Sequence, residues 1–464
     1  MTYDLAIIGS GGAGFAAAIA ASTRGLSVVM VERSTTGGTC VNVGCIPSKA
    51  LIAAAGARQV AGEARFPGVA AEVAPVNLGA LVSGKDEIVG RLRKQKYEDL
   101  AADHGWELRR GDAHFVAGPA LEVAGERIEA AHYLVATGAA PWVPDVPGLP
   151  QSGYLGSTSA LAIERVPESL VVVGGNYVGL ELGQLFSRLG SRVTLLEALD
   201  RLAPGEEPEL SEVLVGVLRD EGVEVRTSAR LAEVSGAGGA SGGVAVRTAD
   251  GREVVAEQLL MATGRRAATE GLFLGSVGVV TGPSGAVVVD DRLRSTNARI
   301  WAAGDVTGAP QFVYVAAAQG TMVVDNAFSG AGRSLDYRHL PRVTFTSPNL
   351  ASVGLTDAQA RAAGIACTCR VLPLCYVPRA IVNRDTRGVV KIVAEAETGK
   401  VVGVHMAADG AGDAILAATY ALEAGMTVEQ LATTWTPYLT MAEGIKLAAQ
   451  SFTTDVAKLS CCAA

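Results

Sequence analysis

The feature that most constrains this chain is an internal repeat. Residues 3–32 read as apolar strand, glycine turn, small-residue helix, second strand and terminal acid, and residues 168–197 read the same way. A constant shift of 165 positions carries Gly9 to Gly174, Gly14 to Gly179, Gly25 to Gly190, Val28 to Val193 and Glu32 to Glu197. In each copy the acid follows the first glycine by 23 positions. The strands at residues 5–8 and 170–173 are unbroken apolar runs, the pattern of a parallel strand buried on both faces. Glycines at such a strand–helix turn let the backbone approach a pyrophosphate, whose charge rests at the helix N-terminus. The acid at the end of the second strand hydrogen-bonds a ribose hydroxyl. The first copy holds Gly9, Gly11 and Gly14 in full register, while the second has Asn176 where the middle glycine belongs. The plain alternative is a tight turn without a ligand. Two such units imply two dinucleotide cofactors with electron relay between them.

Further punctuation supports this division. Ala-Thr-Gly ends a strand-like run after each unit, at Gly138 and at Gly264. Residues 141–150 are proline-rich and read as a linker, and residues 235–243 read as a flexible hairpin tip. From about residue 340 strand-like runs (389–394, 401–406) precede helix-like ones (413–424, 428–432, 442–449), the pattern of a separate α+β domain. The predicted fold is α/β, with two Rossmann-like dinucleotide-binding domains and a C-terminal α+β dimerisation domain.

Composition narrows the function. At 464 residues the chain is too long for one core. A net charge of -8 and the lack of a long basic run argue against nucleic acid. No run of about 18 uninterrupted apolar residues and no basic leader appear, so the expectation is a cytoplasmic protein without membrane insertion. The seven cysteines fall as Cys40 and Cys45, then Cys367, Cys369 and Cys375, then Cys461 and Cys462. Cysteines of a large cytoplasmic protein are more often catalytic or metal-binding than structural.

Cys40 and Cys45 stand in Gly-Gly-Thr-Cys-Val-Asn-Val-Gly-Cys-Ile-Pro-Ser-Lys, residues 37–49, close behind the first acid. A short bend or helical start brings such a pair within disulfide reach. Pro47 suits an early helical position. Cys45 would then sit at a helix N-terminus, where the dipole lowers a thiol pKa from about 8.5. Thiolate is the form that donates to a flavin, attacks a disulfide or binds a soft metal. The competing reading is two buried small hydrophobes.

This segment resembles the redox-active motif of the pyridine nucleotide-disulfide oxidoreductases, and the resemblance runs the length of the chain. It implies FAD in the first unit, bound through Gly9, Gly11, Ala13, Gly14 and Glu32, with Thr39, Ala113 and Gly138 alongside. Trp301-Ala302-Ala303-Gly304-Asp305 looks like the second flavin motif, with Asp305 on the ribityl chain and Val313 by the ring. Lys49 and Glu181 look like the family's lysine–glutamate pair near the flavin, an ordinary salt bridge being the alternative. Gly174, Gly179, Glu197 and Gly264 would serve NADH or NADPH. Glu197 favours NADH, because a carboxylate pairs with a free 2′-hydroxyl and repels a 2′-phosphate. The resemblance further implies that Cys40 is the interchange thiol and Cys45 the charge-transfer thiol.

The C-terminal region selects among family members. Disulfide reductases carry a histidine there, five residues before a glutamate, which shuttles protons across the dimer. The five histidines of this chain end at His405, and the matching positions hold Tyr438 and Glu443. A tyrosine, with pKa about 10, is a poor base at neutral pH. The chain then ends in Cys461-Cys462-Ala463-Ala464. Adjacent thiols pair poorly with each other, and thiolates select soft ions. Tyr438 and this tail resemble the mercury(II)-reducing branch of the family. That resemblance implies a homodimer in which Hg(II), the substrate, passes from Cys461 and Cys462 of one subunit to Cys40 and Cys45 of the other. Tyr97 looks like that branch's second active-site tyrosine, with a surface tyrosine as the alternative. Many members carry an N-terminal metal-binding domain, and the resemblance here is to the catalytic core, so the expectation is a chain without that domain. Cys367, Cys369 and Cys375 fall outside the pattern and read most simply as strand or core residues, although Cys367 and Cys369 would share one strand face. The expected domains are 1–145 with 268–335 for FAD, 146–267 for NAD(P)H, and 336–464 for dimerisation. The rival readings are a dihydrolipoamide dehydrogenase-like disulfide reductase and a non-catalytic thiol metal-binding flavoprotein.

Overall fold

The computed structural model describes residues 2–236 and 243–460. The first repeat forms the centre of a parallel sheet. Strand Thr2–Ile8 lies between Val28–Glu32 and Glu126–Val135, and Ile300–Ala302 returns from far along the chain to pair in parallel with Glu126–Val135. Every residue of Val28–Glu32 is buried, as the unbroken apolar run requires. Helix Val313–Ser329 packs against helix Gly12–Ser22. The approach is so close that a side chain at Gly320 would stand 2.1 Å from the Ala13 carbonyl oxygen.

The second repeat forms another parallel sheet, ordered Glu224–Arg226, Arg192–Leu196, Ser169–Val173 and Gln258–Met261. The expected hairpin joins Leu231–Gly236 to Val244–Thr248 in antiparallel register, and residues 237–242 of its tip lie outside the described residues. A short antiparallel pair, Ala139–Pro141 with Arg265–Ala267, links the two units directly behind Gly138 and Gly264.

The C-terminal region is a five-stranded antiparallel sheet with Cys367–Pro373 at one edge and Val389–Glu395 and Val401–Ala408 inside. Helices Ala411–Glu423, Val428–Thr433 and Glu443–Gln450 cover it, as the sequence pattern predicts. Thr427 opens the second of these with a reciprocal cap to Gln430.

Among the described residues one helical stretch, Gly38–Gly62, is long and apolar enough by composition to cross a membrane. It consists of two helices, Gly38–Asn42 and Cys45–Gly62, broken at Val43 and Gly44. It carries both cysteines and Lys49, and Lys49 is ion-paired to helix Tyr177–Leu189. Its composition therefore belongs to the site described below.

A buried ionic cluster ties the second repeat to the C-terminal sheet. Lys391 Nζ, only 5% exposed, lies 2.9 Å from Glu207 Oε2 and 2.8 Å from Glu209 Oε1. Lys391→Met would leave two carboxylates without their cation. Removing one partner of a buried pair costs about 3–5 kcal/mol. Thermal unfolding of the variant should show a transition lowered by a few degrees, since unfolding entropy is about 2 cal/mol/K per residue. An unchanged transition would show that water already screens the cluster.

Candidate active site

The two glycine turns are superposable in their chemistry. Gly9 and Gly174 have φ of 99° and 116°, and each amide donates to a carbonyl near the end of the neighbouring strand, Val31 or Leu196, at 2.8 Å. A side chain at Gly14 would stand 2.3 Å from the Gly9 oxygen, and one at Gly179 would stand 1.8 Å from the Gly174 oxygen. The Ala-Thr-Gly segments complete each cradle: the same construction at Gly9 meets the Ala136 oxygen at 2.5 Å, and at Gly174 the Ala262 oxygen at 2.3 Å. Only glycine permits these approaches.

The acids repeat as well. Glu32 accepts from the Ser10 and Ser34 amides at 3.1 and 2.8 Å. Glu197 accepts from the Gly175 and Leu199 amides at 2.6 and 2.8 Å. The partners obey the same 165-residue shift, Ser10 to Gly175 and Ser34 to Leu199. Burial would push Glu32 up, but the Ser10 and Ser34 hydrogen bonds outweigh it and hold the carboxyl below its usual range. Asn176, the departure in the second copy, is the exposed N-cap of helix Tyr177–Leu189, a position that asparagine suits.

The first cradle fits a dinucleotide on independent grounds. Gly11 and Gly38 come so close that a side chain at Gly38 would lie 2.6 Å from the Gly11 Cα. Thr137 Oγ1, beside Gly9, is buried with no hydrogen-bond partner among the described residues. Gly138 follows with φ 71°, and Ala113 opens strand Ala113–Val116, two residues after Gly111 donates to the Glu32 carbonyl. At the far end, Val313 is the first residue of its helix and touches the space over Gly12. Asp305 is pushed up by burial, with the Arg265 charge pulling the other way.

The thiols lie at the break between helices Gly38–Asn42 and Cys45–Gly62. Both are free, Cys40 half-buried and Cys45 exposed, with exposed Thr39 preceding them. Their pKa values part in opposite directions: Cys40 is pushed up, chiefly by its hydrogen bond to Cys45 and then by burial. Cys45 is lowered to about 7. The hydrogen bond from Cys40 is the main cause, burial opposes it, and the Lys49 charge one turn along adds to it. The direction is the one expected for a thiol at a helix start, although the sequence suggests only the dipole as its cause and not the hydrogen bond from Cys40. Lys49 Nζ sits 2.6 Å from Glu181 Oε2 and 4.6 Å from the centre of the Phe345 ring.

Tyr97 falls in a π-helical turn, Lys94–Glu98, and its half-buried ring meets Phe15 edge-on at 4.8 Å. Burial first, then the charges of Cys40 and Cys45, push its hydroxyl up. It is therefore no free surface tyrosine. Arg265, which sequence reasoning missed, is also here. Its charge acts on Asp305 and Cys45, and its own pKa is lowered by burial. Its position directly after Gly264 was the available signal.

Tyr438 lies elsewhere, 47% exposed on the C-terminal domain near Trp435, which is 99% exposed. Glu443, five positions on, is 5% exposed; burial pushes its carboxyl up, and Oε2 has no hydrogen-bond partner among the described residues. Cys461 and Cys462 lie outside the described residues. Cys367 and Cys369 occupy one strand as read, but neither they nor Cys375 are core residues.

Two dinucleotide cradles around a thiol pair with one lowered pKa define a flavin- and nicotinamide-dependent thiol oxidoreductase. Residues 3–320 match the family described as pyridine nucleotide-disulphide oxidoreductase, and residues 340–449 match its dimerisation domain. A mercuric reductase of Streptomyces lividans is 60% identical over 99% of this chain and 98% of its own length. One from Staphylococcus aureus is 46% identical over 99% of this chain and 84% of its own. A solved Cu(II) complex of the HOCl-induced flavoprotein disulfide reductase RclA from Escherichia coli has a TM-score of 0.88 at 30% identity, covering 98% of this chain and 100% of that one. The chain belongs to the pyridine nucleotide-disulphide oxidoreductase family and, within it, to the mercuric reductases. Its cofactors are FAD and a pyridine nucleotide, and its dimerisation domain makes it a homodimer.

Proposed function

We propose that the protein reduces Hg(II) to Hg(0) with electrons from NAD(P)H, in the domain limits expected from the sequence. The observation that carries this reading is Tyr438, five positions before buried Glu443 where disulfide reductases hold a histidine, together with the free thiols Cys40 and Cys45 set between two dinucleotide cradles. FAD, when bound, supplies two-electron transfer between nicotinamide and this thiol pair. The overall balance is Hg(II) and NAD(P)H going to Hg(0), NAD(P)⁺ and a proton.

The residues of this chain do the rest. Cys461 and Cys462 of one subunit take Hg(II) from its thiol complexes. They pass it by thiolate exchange to Cys40 and Cys45 of the other, with Cys40 losing its proton as sulfur binds the metal. The Cys40 hydrogen bond and the Lys49 charge favour the Cys45 thiolate, while Tyr97 and Tyr438 donate hydrogen bonds during exchange. Exposed Trp435 and Tyr438 support a site completed across the dimer. We place the protein in the cytoplasm, where thiols stay reduced.

The assay is NAD(P)H oxidation by the holoenzyme with Hg(II) and excess thiol, set against oxidised lipoamide or glutathione. Turnover should depend on Hg(II), and its absence there would overturn the reading. NADH should be preferred over NADPH by about tenfold in kcat/KM, equivalent to ~1.4 kcal/mol. Support comes from Glu197, held by two amides just beyond the end of strand Arg192–Leu196, and from Arg201, whose guanidinium donates to the Pro204 and Glu206 carbonyls at 2.6 and 3.2 Å. A large preference for NADPH would refute this choice.

A further inference from the structure

Strand Cys367–Pro373 is the edge of the C-terminal sheet, and alternate residues of a strand face the same way. Cys367 and Cys369 therefore point to one side, where helix Asp357–Ala362 begins. The Asp357 carboxylate and the two sulfurs all lie within 4.8 Å of one another. Cys367 Sγ donates to Asp357 Oδ1 at 3.1 Å, and Cys369 also donates to this carboxylate. All three residues are half-buried, so the cluster is framed by protein and open to solvent.

We propose that Cys367, Cys369 and Asp357 form a second metal site, on a different sheet from Cys40 and Cys45, that takes a soft thiophilic divalent cation. The donor set selects that class. Two sulfurs out of three ligands exclude hard cations, which require oxygen. A metal–thiolate bond is about 2.3 Å, so two sulfurs sharing an ion stand at most about 4.6 Å apart. The observed cluster needs little closure to meet that.

The charges also balance. Two thiolates and a carboxylate carry three negative charges, and a divalent ion leaves one. Arg361 Nε, 2.8 Å from Asp357 Oδ1, supplies the compensating positive charge. Asp357 is itself anchored, because its amide donates to the buried Glu207 at 2.6 Å. Binding breaks two S–H bonds, forms two metal–sulfur bonds and releases two protons, with no change of oxidation state. The inference is independent of the proposed function, since it requires only thiol chemistry at these three residues.

The test uses FAD-loaded protein in which Cys40, Cys45, Cys375, Cys461 and Cys462 are all replaced by alanine. With Hg(II) as probe and excess monothiol, it should retain one ion per chain through gel filtration. After gel filtration the loaded chain should show two fewer titratable thiols, whose protons have passed to the two monothiols displaced from the ion. Adding either Cys367→Ala or Cys369→Ala should abolish retention, and Asp357→Asn should weaken it by roughly tenfold or more. If that background does not hold FAD, native protein is compared with the Cys367→Ala/Cys369→Ala variant, which should bind one Hg(II) fewer. Equal stoichiometry in either comparison, or retention by a single remaining thiol, overturns the proposal.

Discussion

Cys45→Ala is expected to reduce Hg(II)-dependent NAD(P)H oxidation on the order of 10³-fold or more, as loss of a residue acting within a unit does. It should also remove the long-wavelength charge-transfer absorbance of the reduced holoenzyme. Cys40→Ala should cost comparable activity but keep the band. The difference follows from the opposite pKa directions of the two thiols. Cys45 is lowered to about 7 and is the thiolate, while Cys40 is pushed up and is the donor. The sign of the pH dependence follows too. Below about 7 Cys45 is protonated and the band fades; above it the thiolate and the band are present. Lys49→Met removes a charge that lowers Cys45, and Cys40→Ala removes the larger hydrogen bond, so both variants should move the midpoint upward. Spectra of reduced protein across pH 5–9 read all of this. A band that survives Cys45→Ala and vanishes in Cys40→Ala would reverse the assignment.

Gly14→Val and Gly179→Val should fail in different ways although they strike equivalent positions. Each places side-chain atoms where the preceding turn already stands, at 2.3 Å from the Gly9 oxygen and 1.8 Å from the Gly174 oxygen. The turn must open, and the helix start moves off the pyrophosphate position. Gly14→Val should purify without flavin. Gly179→Val should stay yellow and accept electrons from dithionite, yet lose NAD(P)H-driven flavin reduction by about 100-fold, equivalent to ~2.7 kcal/mol. Flavin content and stopped-flow reduction measure the two. Flavin lost from Gly179→Val and kept in Gly14→Val would exchange the cofactors between the cradles.

Much of this was legible because the constraints are local. A glycine needing positive φ, an acid at a strand end and a cysteine pair before Pro47 are each set within about thirty residues. The shift of 165 positions survived into the hydrogen bonds of Glu32 and Glu197. Helix Cys45–Gly62 begins at Cys45, in keeping with Pro47 at an early helical position, and Lys49 is ion-paired to Glu181, a contact shared by the flavin-site reading and the ordinary salt bridge. Less legible were the effects that depend on which side chain meets which across the fold. The sequence places Cys45 at a helix start but cannot show that a hydrogen bond from Cys40 is the main cause of its lowered pKa. It presents Arg265 as one more basic residue after a glycine, and Asp357 as an ordinary helix opener.

The amino-acid sequence by itself determined the two dinucleotide units, the thiol pair and the family, because glycine, proline and cysteine impose their geometry and chemistry on their immediate neighbours. Tertiary structure alone decided the rest. It brought Tyr97 and Arg265 to the thiols and set Asp357 beside Cys367 and Cys369. These pairings join residues up to about two hundred positions apart, and only the packing of helices and sheet edges sets such distances. The electrostatics that part Cys40 from Cys45 rest on their mutual hydrogen bond, on burial and on the Lys49 charge, so the inner thiols acquire their separate roles only once the chain is folded.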